Sequence, residues 1–199
     1  MAELRKFWKE RYPRVEAAVA QYPAVYSGRR AAMVFDVVAS RKRDYLKKVR
    51  ALVVDFEQRP AATNLAALAS NGPGPGLSLM SSEAITVKEV AAGLHRYCEE
   101  RQLDDDHGVA HWAVSTEPLR FAPRLDSYVG SISGIGVALF AYLRMRSGAD
   151  AIKPDLRVRR NLNRMGFNVP VGENALLLLA EGAAQELGVT RLALDQVLW

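Results

Sequence analysis

Two stretches of this chain have the residue types and spacing to hold a phosphate or to present charge. Ile132-Ser133-Gly134-Ile135-Gly136 places two glycines one residue apart, just before the apolar run that starts at Val137. Such a pair lets the backbone turn sharply and leaves its N–H groups open beside a helix N-terminus, where a phosphate can be held. Nineteen positions beyond Gly136, Asp155 follows Pro154 and opens a segment carrying Arg157, Arg159 and Arg160. An aspartate in that place caps the helix it opens. The arginine run reads as a charged helix face open either to solvent or to a polyanion.

Other chemistry-bearing residues read more simply. Asp104, Asp105, Asp106, His107 and His111 cluster in sequence, but Gly108 interrupts the helix that would align the two histidines, and no His-Glu-x-x-His pattern occurs. They read as an acidic turn capping a helix that starts near His107, and no metal site is expected. Asn71-Gly72-Pro73-Gly74-Pro75-Gly76 is glycine-rich, yet no Lys-Ser/Thr follows it, so it reads as a loop rather than a nucleotide cradle. Trp112 could stack on a base, but a tryptophan in an apolar helix more often belongs to the core. His95 reads as a half-buried structural imidazole.

The charge is unevenly spread. The 199 residues carry a formal net charge of +5, but residues 29–50 hold eight basic side chains against two acidic ones. Residues 144–164 hold seven against two. Two positive blocks on a nearly balanced background point to a polyanionic partner. A single cysteine excludes an internal disulfide and fits a reducing compartment. The N-terminus lacks an apolar signal core, and no apolar run reaches the roughly 18 residues that a membrane span requires, so a cytoplasmic protein with no membrane partner is expected.

The elements that must position these residues are helical. Amphipathic spacing predicts helices over 3–11 and 14–21, the second opened by Pro13. A long pattern follows from Arg29 to Glu57, either broken or bulged at Ser40–Asp44. Thr63 or Asn64 caps a short helix, and the 71–76 loop is the candidate hinge between an N-terminal lobe (1–70) and the remainder (77–199). Thr86 and Glu89 form a capping pattern for a helix ending near Leu103. Helices are also predicted up to about Ser131, over Val137–Arg146, after Asp155, over Asn174–Leu187, and from Thr190 to the end. No alternating run suggests a strand, so the class is all-α, as a single two-lobed unit.

The order of parts, a glycine hairpin at about 125–146 followed by an aspartate opening a basic helix, resembles the helix-hairpin-helix DNA glycosylase superfamily over roughly the last 80 residues. The family hairpin has the form Leu-x-Gly-x-Gly, here Ile132 to Gly136. Its catalytic aspartate sits in an apolar-Asp-Thr-His-Val type of segment, here Pro154-Asp155-Leu156-Arg157-Val158. The resemblance implies that Gly134, Ile135 and Gly136 anchor a DNA phosphate, with a monovalent cation on the hairpin carbonyls and no other cofactor. It further implies that Asp155 is the catalytic carboxylate and that Arg157, Arg159 and Arg160 contact DNA. Bifunctional members carry a lysine two residues past the second glycine, where this chain has Ala138, so a monofunctional enzyme is implied. Cys98 alone cannot hold the iron–sulfur cluster of many members. Leu156 and Arg157 replace the usual Thr-His pair. Two readings follow: a monofunctional glycosylase removing a damaged or mispaired base from double-stranded DNA, or a non-catalytic DNA-binding protein on the same fold. The sequence does not fix the oligomeric state.

Overall fold

Helix α2 (Arg30–Ala39) reads RAAMVFDVVA, and all ten of its residues are buried. A helix covered on every side belongs at the centre of a domain, and the other elements are assembled around it. The computed structural model describes residues 1–199, and it is all-α. The remaining helices are α1 (Ala2–Gln21), α3 (Arg50–Glu57), α4 (Leu65–Asn71), α5 (Ser81–Glu100), α6 (Asp105–Ser115), α7 (Val137–Arg146), α8 (Leu156–Arg164), α9 (Glu173–Leu187) and α10 (Arg191–Leu198). Short 3-10 turns and one π-helical turn, Tyr45–Val49, connect them. No helix is long and apolar enough to cross a membrane.

Two hydrophobic cores organise these elements. The larger gathers α2 to α7, with Phe35, Phe56, Trp112 and Phe140 among its buried side chains. The smaller joins Leu4 of α1 to Val158 and Leu162 of α8, Leu176 and Leu177 of α9, and Leu194 and Leu198 of α10. Burying Leu4 contributes about 1.5–3 kcal/mol, enough to seat the N-terminal helix against the C-terminal ones. The grouping therefore differs from the 1–70 and 77–199 division. Leu65 and Leu68 of α4 share the larger core with Val87 and Val90 of α5, across the glycine–proline loop. That loop is braced, because the Arg59 guanidinium donates to the Pro75 carbonyl at 2.6 Å and the Pro73 carbonyl at 3.5 Å.

Helix boundaries differ from expectation where a long-range contact outweighs a local signal. Pro13 lies inside α1 instead of opening a second helix. Helix α5 starts at Ser81, five residues before Thr86, because Glu83 accepts the Met80 N–H at 2.9 Å and is itself held by Arg43 at 2.6 Å. Thr86 instead donates to the Ser133 carbonyl at 3.0 Å. The largest correction concerns the residues before the glycine turn, which form a 3-10 turn (Pro123–Leu125) and further turns rather than a helix reaching Ser131. Asp126 is the cause. Its buried carboxylate accepts the N–H groups of Val129 and Gly130 at 2.9 and 2.8 Å and the Trp112 indole N–H at 3.4 Å. Gly93 and Gly130 then allow backbones to touch, since a Cβ on either would lie within 1.9 Å of the Tyr128 or Pro123 carbonyl oxygen.

An ionic clamp ties the cores together behind this segment. The buried Arg144 of α7 donates to the Ala113 carbonyl at 2.9 Å and to Glu117. Glu117 also accepts from Arg191 of α10 at 2.7 Å, and Arg191 reaches Glu181 of α9 at 3.0 Å.

Candidate functional site

Asp155 caps α8 with one carboxylate oxygen and leaves the other free. Its Oδ1 accepts the N–H groups of Arg157 and Val158 at 2.8 and 3.1 Å, which fixes the side-chain orientation. Its Oδ2 takes no hydrogen bond and faces the Lys153 ammonium at 4.0 Å, with the Asp155 side chain 23% exposed. Lys153 is held from three sides. Its N–H donates to Asp195 Oδ1 at 2.9 Å, its Nζ reaches Ser40 Oγ at 3.5 Å, and it lies 4.2 Å from the centre of the Tyr142 ring. Burial pulls the Lys153 amine below the usual lysine range, and burial pushes the enclosed Asp195 carboxyl up to about 7.

The glycine turn is shaped by its backbone conformation. Gly134 adopts φ +92°, a conformation that favours glycine, and Gly136 is the N-cap residue of α7. The N–H groups of Gly134, Gly136 and Val137 have no acceptor within the protein. That of Ile135 is used inside the turn, donating to the Ile132 carbonyl at 3.1 Å, and the Ile135 side chain is buried. Ile135 therefore shapes the turn from within, and the open donors are its neighbours. A Cβ on Gly134 would stand 3.4 Å from the Arg41 guanidinium. Ser40 and Arg41, consecutive residues at the end of α2, thus reach Lys153 and the glycine turn respectively. Each motif therefore has one contact with a residue at the end of α2.

Both positive blocks meet there as well. From Arg41 the chain passes through Lys42, whose φ of 55° is unusual for a residue with a side chain, into the π-helical turn carrying Tyr45, Lys47 and Lys48. The Tyr45 ring packs edge-on against Trp199 at 6.0 Å, and the Arg157 guanidinium stacks on the same indole at 4.2 Å. Arg160 and Arg164 are exposed and line a shallow groove with Leu156, Arg159 and Asn163. Arg159 differs from the expectation of a free DNA-contacting arm. Its guanidinium donates to the Pro170 and Val171 carbonyls and braces the loop after α8.

Beneath this surface lies a residue the sequence reading passed over. Asp36, in the middle of α2, is fully buried and accepts from the hydroxyls of Tyr26, Tyr45 and Tyr142 at 2.8, 3.3 and 3.4 Å. Arg146 lies 3.6 Å away, and every one of these contacts is to Oδ2. The second oxygen, Oδ1, is buried without a partner. Burial raises the Asp36 pKa above the ordinary carboxylate range. The available signal was a lone acid in an apolar run, Met-Val-Phe-Asp-Val-Val, which forces a charge into the core.

The remaining candidates are structural. Asp104 caps α6 through the His107 N–H at 2.9 Å, Asp105 accepts the Leu65 N–H at 2.9 Å, and Asp106 pairs with Arg30 at 2.5 Å. Trp112 is fully buried, packed edge-on against Phe140, and cannot stack on a base. His95 is partly exposed and lies 3.9 Å from Glu99.

No known protein family, curated protein or solved structure matches the chain.

Proposed function

We infer that this protein binds double-stranded DNA across the glycine turn, the Ser40–Lys48 segment and α8, and hydrolyses the N-glycosidic bond of an extruded damaged or mispaired base. The observation that carries this reading is the state of Asp155. One oxygen is locked by two backbone N–H groups, while the other accepts no hydrogen bond and faces the Lys153 ammonium at 4.0 Å on a side chain that is 23% exposed. Breaking the glycosidic bond builds positive charge on the sugar. A carboxylate fixed beside that sugar stabilises the charge, or orients the attacking water, without having to reorganise. The free N–H groups of Gly134, Gly136 and Val137 would bind the backbone without reading sequence. Arg41, Arg157 and Arg160 would add phosphate contacts around the acid.

The test is incubation with duplexes that each carry one alkylated, oxidised or deaminated base. The expected result is an abasic product from at least one of them. A second reading, a DNA-binding protein without catalysis, is favoured by the capping role that Asp155 already fills. It predicts binding to the same duplexes and no product from any of them.

A further inference from the structure

His107 and His111 take no part in the proposed DNA site, and they stand one helical turn apart on α6. The glycine between them does not interrupt the helix. Helix α6 runs unbroken from Asp105 to Ser115, with Gly108 buried against α5, where a Cβ would collide with the Cys98 sulfur. Residues at i and i+4 share a helix face, with Cβ atoms about 5–6 Å apart, and both of these imidazoles are exposed.

Each ring is already held through its Nδ1. His107 Nδ1 lies 2.7 Å from Asp104 Oδ2, and because a carboxylate only accepts, the ring donates from Nδ1. For His111 the proton follows from a chain of hydroxyl groups. Ser115 Oγ donates its one proton to the Trp112 carbonyl at 3.1 Å, so the Tyr97 hydroxyl, 2.9 Å from Ser115, donates to that oxygen. Tyr97 is then left to accept from His111 Nδ1 at 2.8 Å. In the neutral rings both Nε2 atoms therefore carry the lone pair, and neither has a hydrogen-bond partner within the protein. Metal-binding histidines are held in this way, the second ring nitrogen donating to a fixed acceptor that sets tautomer and orientation.

We propose that His107 and His111 form a two-imidazole site for a divalent transition-metal ion of the Cu²⁺, Ni²⁺ and Zn²⁺ class, bound through their Nε2 atoms. Imidazole suits these ions, whereas Mg²⁺ and Ca²⁺ take oxygen ligands. The neighbouring acids do not make this an oxygen site, because Asp104, Asp105 and Asp106 are engaged by His107, the Leu65 N–H and Arg30. No third histidine, cysteine or carboxylate joins the pair, so water fills the remaining coordination positions.

The experiment titrates untagged protein with each of CuCl₂, NiCl₂, ZnCl₂ and MgCl₂ by calorimetry, at a mildly alkaline pH that keeps imidazoles neutral. One Cu²⁺ per chain is expected, with weaker binding of Ni²⁺ and Zn²⁺ and none of Mg²⁺. The electron paramagnetic resonance spectrum of the Cu²⁺ form should show coupling to two imidazole nitrogens. His107→Gln and His111→Gln should each lower Cu²⁺ affinity by roughly tenfold or more. His95→Gln, at the third histidine of the chain, should leave it unchanged. Both ligands are exposed, so neither glutamine disturbs a core, and the spectrum of native protein tests the site without any substitution. Absence of Cu²⁺ binding by native protein, coupling to fewer than two imidazoles, or full affinity in either ligand variant overturns the proposal. The DNA reading stands or falls separately.

Discussion

Asp155→Asn is expected to lower the single-turnover rate of base release by roughly 10²–10³-fold, the usual loss when one preorganised electrostatic group is removed from a transition state. Folding should be preserved, because asparagine is as good an N-cap as aspartate and its side-chain oxygen can still accept the Arg157 and Val158 N–H groups. Asparagine removes only the negative charge at Oδ2. Affinity for an undamaged duplex should hold or rise slightly, since a carboxylate near phosphates is lost. Asp155→Ala separates the two roles further, because it should also cost about 1 kcal/mol of stability through the lost cap. Equal excision by native and Asp155→Asn protein would assign Asp155 to capping alone.

Glu117→Ala should be among the most destabilising changes outside the apolar cores. The glutamate faces the buried guanidinium of Arg144 and also holds Arg191, so its removal leaves a charge enclosed without its partner. Breaking such a pair costs about 3–5 kcal/mol, and the partial exposure of Glu117 argues for the lower end. At about 2–4 °C per kcal/mol for a domain of this size, thermal unfolding should move down by roughly 6–12 °C. The same group makes stability depend on pH. Burial alone would raise the Glu117 pKa, but the bonds from Arg191 and Arg144 outweigh it and hold the carboxyl below the ordinary glutamate range. Its contribution is therefore complete above the unfolded-state pKa and is lost as pH falls through the depressed folded value. Native protein should lose stability through that acidic window, and Glu117→Ala should lose less, as thermal melts across pH would show.

Much of the site was legible because its determinants are local. Gly136 and Asp155 mark the starts of α7 and α8, and Thr190 caps α10 through the Ala193 N–H, all from short-range hydrogen-bonding preferences. What escaped the sequence depends on residues far apart in the chain. Asp126 unravels the helix expected before the glycine turn, because its carboxylate is committed to four donors that include the distant Trp112 indole. Glu83 moves the start of α5 because Arg43, forty positions earlier, holds it in place. Asp36 reads as an anomaly in an apolar stripe until Tyr26, Tyr45, Tyr142 and Arg146 close around it. Leu4 joins the C-terminal core by a contact that no local pattern encodes. The juxtaposition that matters most, Ser40 against Lys153 and Arg41 against Gly134, belongs to the same long-range class.

Under the proposed function, the glycine turn and the Asp155 region engage one DNA duplex together. The salt dependence of duplex affinity tests it most directly, measured for native protein, Arg41→Ala, Arg160→Ala and the double variant. Log affinity should fall linearly with log salt, and each single variant should flatten that slope by about one unit. The double variant should flatten it by about two, because one phosphate contact is lost on each side of the acid. A slope unaltered in all three variants, or no measurable affinity even at low salt, would contradict the account.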